Sequence, residues 1–85
     1  MMFKKFPWKK YRVEWLDISG ETGWGSEDTI RKMEPQVATT EGYLFYEDND
    51  RVITFATYYY NDEEGYTFGD RNVFPRGCIK SIRKI

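Results

Sequence analysis

Three groups of residues in this chain have types and spacings that bear on chemistry. Pro75-Arg76-Gly77-Cys78 sets a thiol beside a turn, Glu47-Asp48-Asn49-Asp50 gathers carboxylates, and Phe3-Lys4-Lys5-Phe6-Pro7-Trp8-Lys9-Lys10 interleaves cations with aromatic rings. The 85 residues include no histidine, so the usual general base, the usual partner of a catalytic thiol and the commonest metal ligand are missing. Cys78 is the only cysteine, which excludes an intrachain disulfide and a cysteine cluster for zinc. With nothing to activate it, its thiol reads as a small hydrophobic group between a turn and a strand. The carboxylate run lacks the glycine of an EF-hand loop, and Tyr59 stands where the closing glutamate would fall counting from Asp48. Those acids read as the solvated charge of a hairpin. Fourteen acids supply so many carboxylate pairs that no single pair signals a glycosidase. Gly20, Gly23 and Gly25 fit neither phosphate-loop spacing. The expectation is a protein that is not an enzyme and has no cofactor and no metal.

The elements that would carry these residues are strands. Tyr11-Arg12-Val13-Glu14-Trp15 alternates apolar and charged, and the phase slips at Leu16, so a bulge is expected near Trp15. Residues 19–25 are rich in turn formers, and Ser26 to Pro35 has a cap residue, acids then bases, and a proline stop, which predicts a helix of about two turns. Two β-prone runs flank Asn49-Asp50, a pair suited to the positive φ of a tight hairpin turn. A two-residue turn there sets 48 opposite 51, 46 opposite 53, 44 opposite 55 and 43 opposite 56. Leu44, Tyr46, Ile53 and Phe55 then share one face, with Tyr43, Phe45, Val52, Thr54, Ala56, Tyr58 and Tyr60 on the other. Residues 61–65 form the next turn, Gly69-Asp70 is either a bulge or a small turn, and Pro75 ends a strand before Cys78 to Ile82 begins the last.

Sixteen aromatic residues supply enough apolar area for one domain of this size to build a core without staples. The chain divides into a basic-aromatic leader over residues 1–10 and a single domain over 11–85. Neither a signal-peptide pattern nor a stretch of bilayer-spanning length occurs, which together with the lone cysteine points to a cytoplasmic protein without a membrane partner. The net charge of −1 hides a segregation: nine of the thirteen basic residues lie in 1–12 and 76–85, leaving four against fourteen acids between them. If the first and last strands lie side by side, those cations gather on one edge.

The order strand, long loop, hairpin, strand, tight turn and closing strand resembles an SH3-like barrel, in which a proline and a single helical turn lead into a short last strand beside the first. Pro75-Arg76-Gly77-Cys78-Ile79 is similar to that junction. The acidic and aromatic ligand-gripping positions of signalling SH3 domains are not recognisable, so none is carried over. Trp15-Leu16-Asp17, Gly23-Trp24, Thr40-Glu41-Gly42-Tyr43-Leu44, Glu47-Asp48-Asn49-Asp50 and Phe74 through Ile82 are similar, in order and spacing, to a family of small uncharacterised proteins encoded by tailed bacteriophages. That resemblance implies a phage origin and the cytoplasm of a host cell as the setting; the leader is less typical of the family. The fold expected is all-β: a small SH3-like barrel of about five strands with one short helix in the first long loop.

Two features remain as binding candidates. One is the outer hairpin face of Tyr43, Phe45, Tyr58 and Tyr60, suited to a host protein or to a second copy of the chain in a homodimer. The other is the leader, with Phe6 and Trp8 for stacking and Lys9 and Lys10 for phosphates, suited to nucleic acid. The first makes the protein a non-catalytic binding module, and the second is the alternative. The structural role read for Cys78 gives a direct expectation: Cys78→Ala leaves biological effect intact and costs at most about 1–3 kcal/mol by chemical denaturation. Loss of effect in a variant of unchanged stability would contradict it.

Overall fold

The computed structural model describes residues 5–85; the first four residues of the leader lie outside the described part. The fold is all-β. It consists of β1 (Lys10–Asp17), β2 (Gln36–Glu47), β3 (Arg51–Phe55), β4 (Thr57–Asn61), β5 (Gly65–Gly69), β6 (Asn72–Pro75) and β7 (Ile79–Lys84). One helix, α1 (Glu27–Arg31), sits in the loop between β1 and β2, and a single 3-10 turn (Arg76–Cys78) joins β6 to β7. Five strands form an antiparallel sheet in the order β6-β3-β2-β1-β7, and β4 and β5 form a separate hairpin. As expected, a proline and one helical turn lead into a last strand beside the first. No ladder joins β6 to β7, so the described sheet is open at both edges.

The sheet nevertheless curls around a core. Val13, Val52 and Phe74 are buried against one another, with Trp15, Leu44, Ile79 and Ile82 packed around them. These residues come from β1, β2, β3, β6 and β7, and the rings of Trp15 and Phe74 lie 5.6 Å apart across the curl. Trp15 also donates its indole N–H to the hydroxyl of Thr40 at 2.9 Å, which satisfies the polar end of a ring set in apolar surroundings. The expected bulge occurs: in the β1–β7 ladder the register shifts between Glu14 and Trp15.

The β2–β3 hairpin departs from the simple count. Glu47 faces Val52 and Tyr46 faces Ile53, as a two-residue turn requires, but the register then shifts, so that Leu44 faces Thr54 and Tyr43 faces Phe55. One extra residue in β2, at Phe45, is the cause. The expected faces are corrected accordingly. Leu44, Val52 and Thr54 look into the core, whereas Tyr43, Phe45, Tyr46, Ile53 and Phe55 lie on the outer side. Both sides of β3 are filled, since Val52 and Thr54 are buried on one and Phe55 on the other. The Thr54 hydroxyl is buried without a hydrogen-bond partner, at a cost of order 1–3 kcal/mol, so the outer and inner packing must outweigh it. Gly42 allows β3 to come this close: a Cβ there would lie 2.9 Å from the carbonyl oxygen of Phe55.

The turn itself also differs from expectation. Among described non-glycine residues only Asp70 has positive φ, so Asn49 and Asp50 do not use it. The Asp48 carboxylate builds the turn instead, accepting from the backbone N–H of Asp50 and of Arg51, each at 2.9 Å. Arg76, from the 3-10 turn, braces the hairpin through Nε to the Asp48 carbonyl at 3.0 Å and an ion pair with Glu47 at 2.6 Å. At residues 61–65 the Asn61 side chain plays the corresponding part, accepting from the N–H of Glu63 and Glu64, and Gly65 supplies a φ of 77°. Gly69-Asp70 is a joint between β5 and β6: Gly69 still faces Thr57, and Asp70, at φ 49°, accepts a hydrogen bond from the Thr57 hydroxyl.

The molecule is long. Its extents are 65 × 23 × 21 Å and its radius of gyration is 17.8 Å, against about 12 Å for a compact chain of this length. The β1–β2 ribbon contributes to this by carrying residues 18–35 beyond the sheet. Within that loop α1 is shorter than two turns. Ser26 caps it by accepting from the Thr29 N–H at 3.2 Å, but no residue of it is buried, so the packing that normally sustains a helix is missing.

The hydrogen bonds at Asp48 lower its pKa below the ordinary 3.8, chiefly through the backbone N–H of Asp50 and then that of Arg51. A carboxyl whose folded pKa is depressed stabilises the fold fully above its unfolded value and loses that contribution as pH falls through the folded one. Acidification below about pH 4 is therefore expected to destabilise the wild type more than Asp48→Asn, measured by urea denaturation at a series of pH values. Parallel pH profiles for the two proteins would show that Asp48 is not the group involved.

Candidate functional site

The four outer-face residues lie in a dense aromatic cluster. In the β4–β5 hairpin Tyr58 faces Phe68 and Tyr60 faces Tyr66, so these four rings share one face of the hairpin. That face folds over the outer side of β3: the Phe68 ring lies 4.6 Å from Phe55 and 5.3 Å from Phe45. Phe6 and Trp8 wedge into the remaining space. Phe6 sits 4.7 Å from Tyr58, 5.0 Å from Tyr43 and 5.1 Å from Trp8. Trp8 stacks on Phe45 at 5.9 Å and meets Tyr66, Phe68 and Phe55 edge-on at 5.1, 5.3 and 5.4 Å. Just beyond, Leu44 donates its N–H to the Lys9 carbonyl at 3.0 Å, which extends the β1–β2 ladder into the leader.

The cluster is thus a second core, built by the part of the leader the sequence set outside the domain. Tyr43 is half-buried among the rings, and Tyr60 pairs with Tyr66 at 4.9 Å. Phe45 and Tyr58 keep somewhat under half of their surface exposed. The pair selected for stacking bases, Phe6 and Trp8, is committed to this packing, while Lys9 and Lys10 remain exposed. The ladder between β1 and β7 does bring the basic termini together, with Arg12 opposite Arg83 and Tyr11 opposite Lys84.

A different surface is left uncovered, at the other end of the β1–β2 ribbon. Seven residue steps from Lys10 to Asp17 place it roughly 23 Å along the strand from the aromatic cluster. There Trp24 is fully exposed, Ile18 is 95% exposed, and Ile30 and Met33 are 61% and 49% exposed. Trp24, Ile30 and Met33 line a cleft of about 390 Å³ with Glu21, Gly23, Gly25 and Thr29, and Ile18 and Met33 line its neighbour with Ser19, Glu34 and Pro35. The loop is tied at its base, where the Ser19 hydroxyl donates to the Glu34 carbonyl at 3.0 Å. Around the apolar residues stand Glu21, Glu27, Asp28 and Glu34, with Arg31 and Lys32 paired to Glu27 and Asp28. A hydrophobic centre with a charged rim is the ordinary anatomy of a protein contact surface. Sequence reading passed over Trp24 because Gly23 and Gly25 mark only a turn; a large ring between two glycines, in a segment with neither strand nor helix periodicity, was the signal available.

Cys78 is half-buried at the end of the 3-10 turn and shares a cavity of about 210 Å³ with Trp15, Leu16 and Phe74. Among the described residues no group of three or more cysteine and acidic side chains is placed to hold a metal ion, and no helix is long and apolar enough to cross a membrane. Comparison with known protein families, curated proteins and solved structures finds no match to this chain.

The wedge made by Phe6 and Trp8 should contribute to stability. Trp8→Ala is expected to cost about 2–3 kcal/mol, somewhat below the figure for a fully buried ring, because Trp8 is half-buried. Thermal denaturation measures it. A shift within the scatter of surface substitutions, about 0.5 kcal/mol, would mean that the leader does not pack as described.

Proposed function

We propose that the protein is a non-catalytic binding module that engages a protein partner through the apolar tip formed by Ile18, Trp24, Ile30 and Met33. The observation that carries this reading is the full exposure of Trp24 among three other exposed apolar side chains, on a loop tied at its base and carried at the end of the β1–β2 pair. A monomer gains little from such residues in water, whereas an interface gains most from a central tryptophan with a polar rim. The rim supports a protein partner over an anionic lipid surface, because Glu21, Glu27, Asp28 and Glu34 outnumber Arg31 and Lys32. The lack of histidine in the whole chain supports a module without catalysis.

The finer reading, a tailed-phage accessory protein whose target is a host protein in the host cytoplasm, rests on the resemblance of the blocks that include Gly23-Trp24. The expected site of Tyr43, Phe45, Tyr58 and Tyr60 keeps only Phe45 and Tyr58 partly open, so contact there is secondary to contact at the tip.

The combined variant Ile18→Ser and Trp24→Ser tests the reading. Stability should change by no more than about 0.5 kcal/mol for each substitution, since neither side chain is buried. Retention of the partner from host lysate should be lost, corresponding to a fall in affinity of more than about 2 kcal/mol. Full retention by the variant, with loss in Tyr58→Ser instead, would move the interface to the aromatic cluster.

A further inference from the structure

We propose that the free edge of β7 takes an acidic, extended peptide as an added strand. β7 closes the sheet order on one side, and its outer edge has no neighbouring strand among the described residues. Its backbone phase is fixed by Ile85, whose N–H donates to the Lys10 carbonyl at 2.9 Å. With Tyr11 opposite Lys84 and Val13 opposite Ile82, the alternation of an antiparallel ladder turns the N–H and C=O groups of Ile82 and Lys84 away from β1 and out of the sheet. A row of free donors and acceptors is therefore available to an incoming strand.

Charge selects the strand. β7 runs Ile79-Lys80-Ser81-Ile82-Arg83-Lys84, with three cations and no acid. None of the three joins an ion pair among the described residues, whereas Arg12 on the adjacent strand is already paired with Glu41 at 2.7 Å. A second copy is disfavoured as the occupant, because antiparallel pairing of β7 with β7 sets three cations against three. An acidic strand removes the repulsion and gains the main-chain hydrogen bonds.

The opposite edge shows the contrast. Arg76 donates its N–H inward to the Asp50 carbonyl at 2.9 Å, so by the same alternation Val73 and Pro75 of β6 face outward, and Pro75 has no N–H to offer. β6 is also only four residues long. One edge is thus blocked by covalent structure and shortness, and the other is guarded by charge alone, a guard that an acidic partner cancels. Nucleic acid is the less favoured occupant of the same cations: Phe6 and Trp8, the rings singled out for stacking bases, are wedged into the second core, and a phosphate backbone cannot use the outward carbonyls of Ile82 and Lys84.

The test uses the full chain and an acetylated peptide of about ten residues alternating glutamate and valine, with its lysine–valine counterpart and a single-stranded oligothymidine of similar length as comparisons. Titration followed by amide NMR should show saturable binding of the glutamate peptide alone, with hydrogen exchange slowed at least tenfold at the amides of Ile82 and Lys84. Lys84→Pro, which removes an outward donor, and Arg83→Glu should each weaken binding at least tenfold, while Trp24→Ser leaves it unchanged and so separates this surface from the apolar tip. Protection at Ile82 in the wild type decides the matter even if a variant fails to fold. Binding without that protection, oligothymidine binding as tightly as the peptide, or no saturable binding of the glutamate peptide would overturn the proposal.

Discussion

One extra residue in β2 determines how this chain divides its apolar surface. Without the bulge at Phe45, Leu44 and Phe55 would fall on one side of the hairpin and Val52 on the other, so Leu44 and Val52 could not both pack against Val13 and Phe74. With it, Tyr43, Phe45 and Phe55 come to one side and Leu44, Val52 and Thr54 to the other. β3 then becomes a strand buried on both faces, and the outer face needs cover. The β4–β5 hairpin supplies that cover with Tyr58, Tyr66 and Phe68, and the leader completes it with Phe6 and Trp8. The molecule accordingly has two small cores sharing β2 and β3, which is how so few residues bury so many rings while, among the described residues, four hydrophobic side chains are buried outright.

Local patterns were legible in the sequence and a packing decision was not. Alternation gave β1 and the slip near Trp15; Pro75 and Gly77 marked the 3-10 turn; the helix signals around Ser26 and Pro35 gave α1, with its length overstated because they act locally and tertiary support was absent. The Asn49-Asp50 pair located the turn, yet its chemistry was read from the two turn residues when the preceding Asp48 does the hydrogen bonding. The register beyond Tyr46 could not be counted, because a bulge leaves no mark in a stretch where every residue from Tyr43 to Tyr46 is apolar. The docking of Phe6 and Trp8 was hidden by charge: four lysines around them set the leader outside the domain, whereas lysine stems flank a buried aromatic as readily as they decorate an exposed one.

Two unlike surfaces remain once both cores are satisfied. The apolar tip and its acidic rim lie beyond Asp17, whereas Arg83 and Lys84 of β7 lie beside Arg12 and Tyr11 at the start of β1. The charge segregation evident in the sequence is therefore spatial as well, because the β1–β7 ladder places Lys10, Arg12, Arg83 and Lys84 together. The side-chain contacts of Arg76, Asp48 and Asn61 brace turns, while Arg12 with Glu41, Trp15 with Thr40 and Ser81 with Glu14 join neighbouring strands.

The division of apolar surface by the bulge is tested most directly by cross-strand Hα–Hα nuclear Overhauser contacts in the β2–β3 hairpin. Non-hydrogen-bonded pairs bring their Cα atoms to about 4.5 Å, close enough for a strong signal. Asp48 donates its N–H to the Arg51 carbonyl at 3.0 Å, which sets the phase of the ladder at the turn, and the shifted register makes Leu44 and Thr54 such a pair. The account predicts a strong contact between the Hα protons of Leu44 and Thr54. An unbroken hairpin would give it between Phe45 and Thr54, and that result would contradict the two-core arrangement.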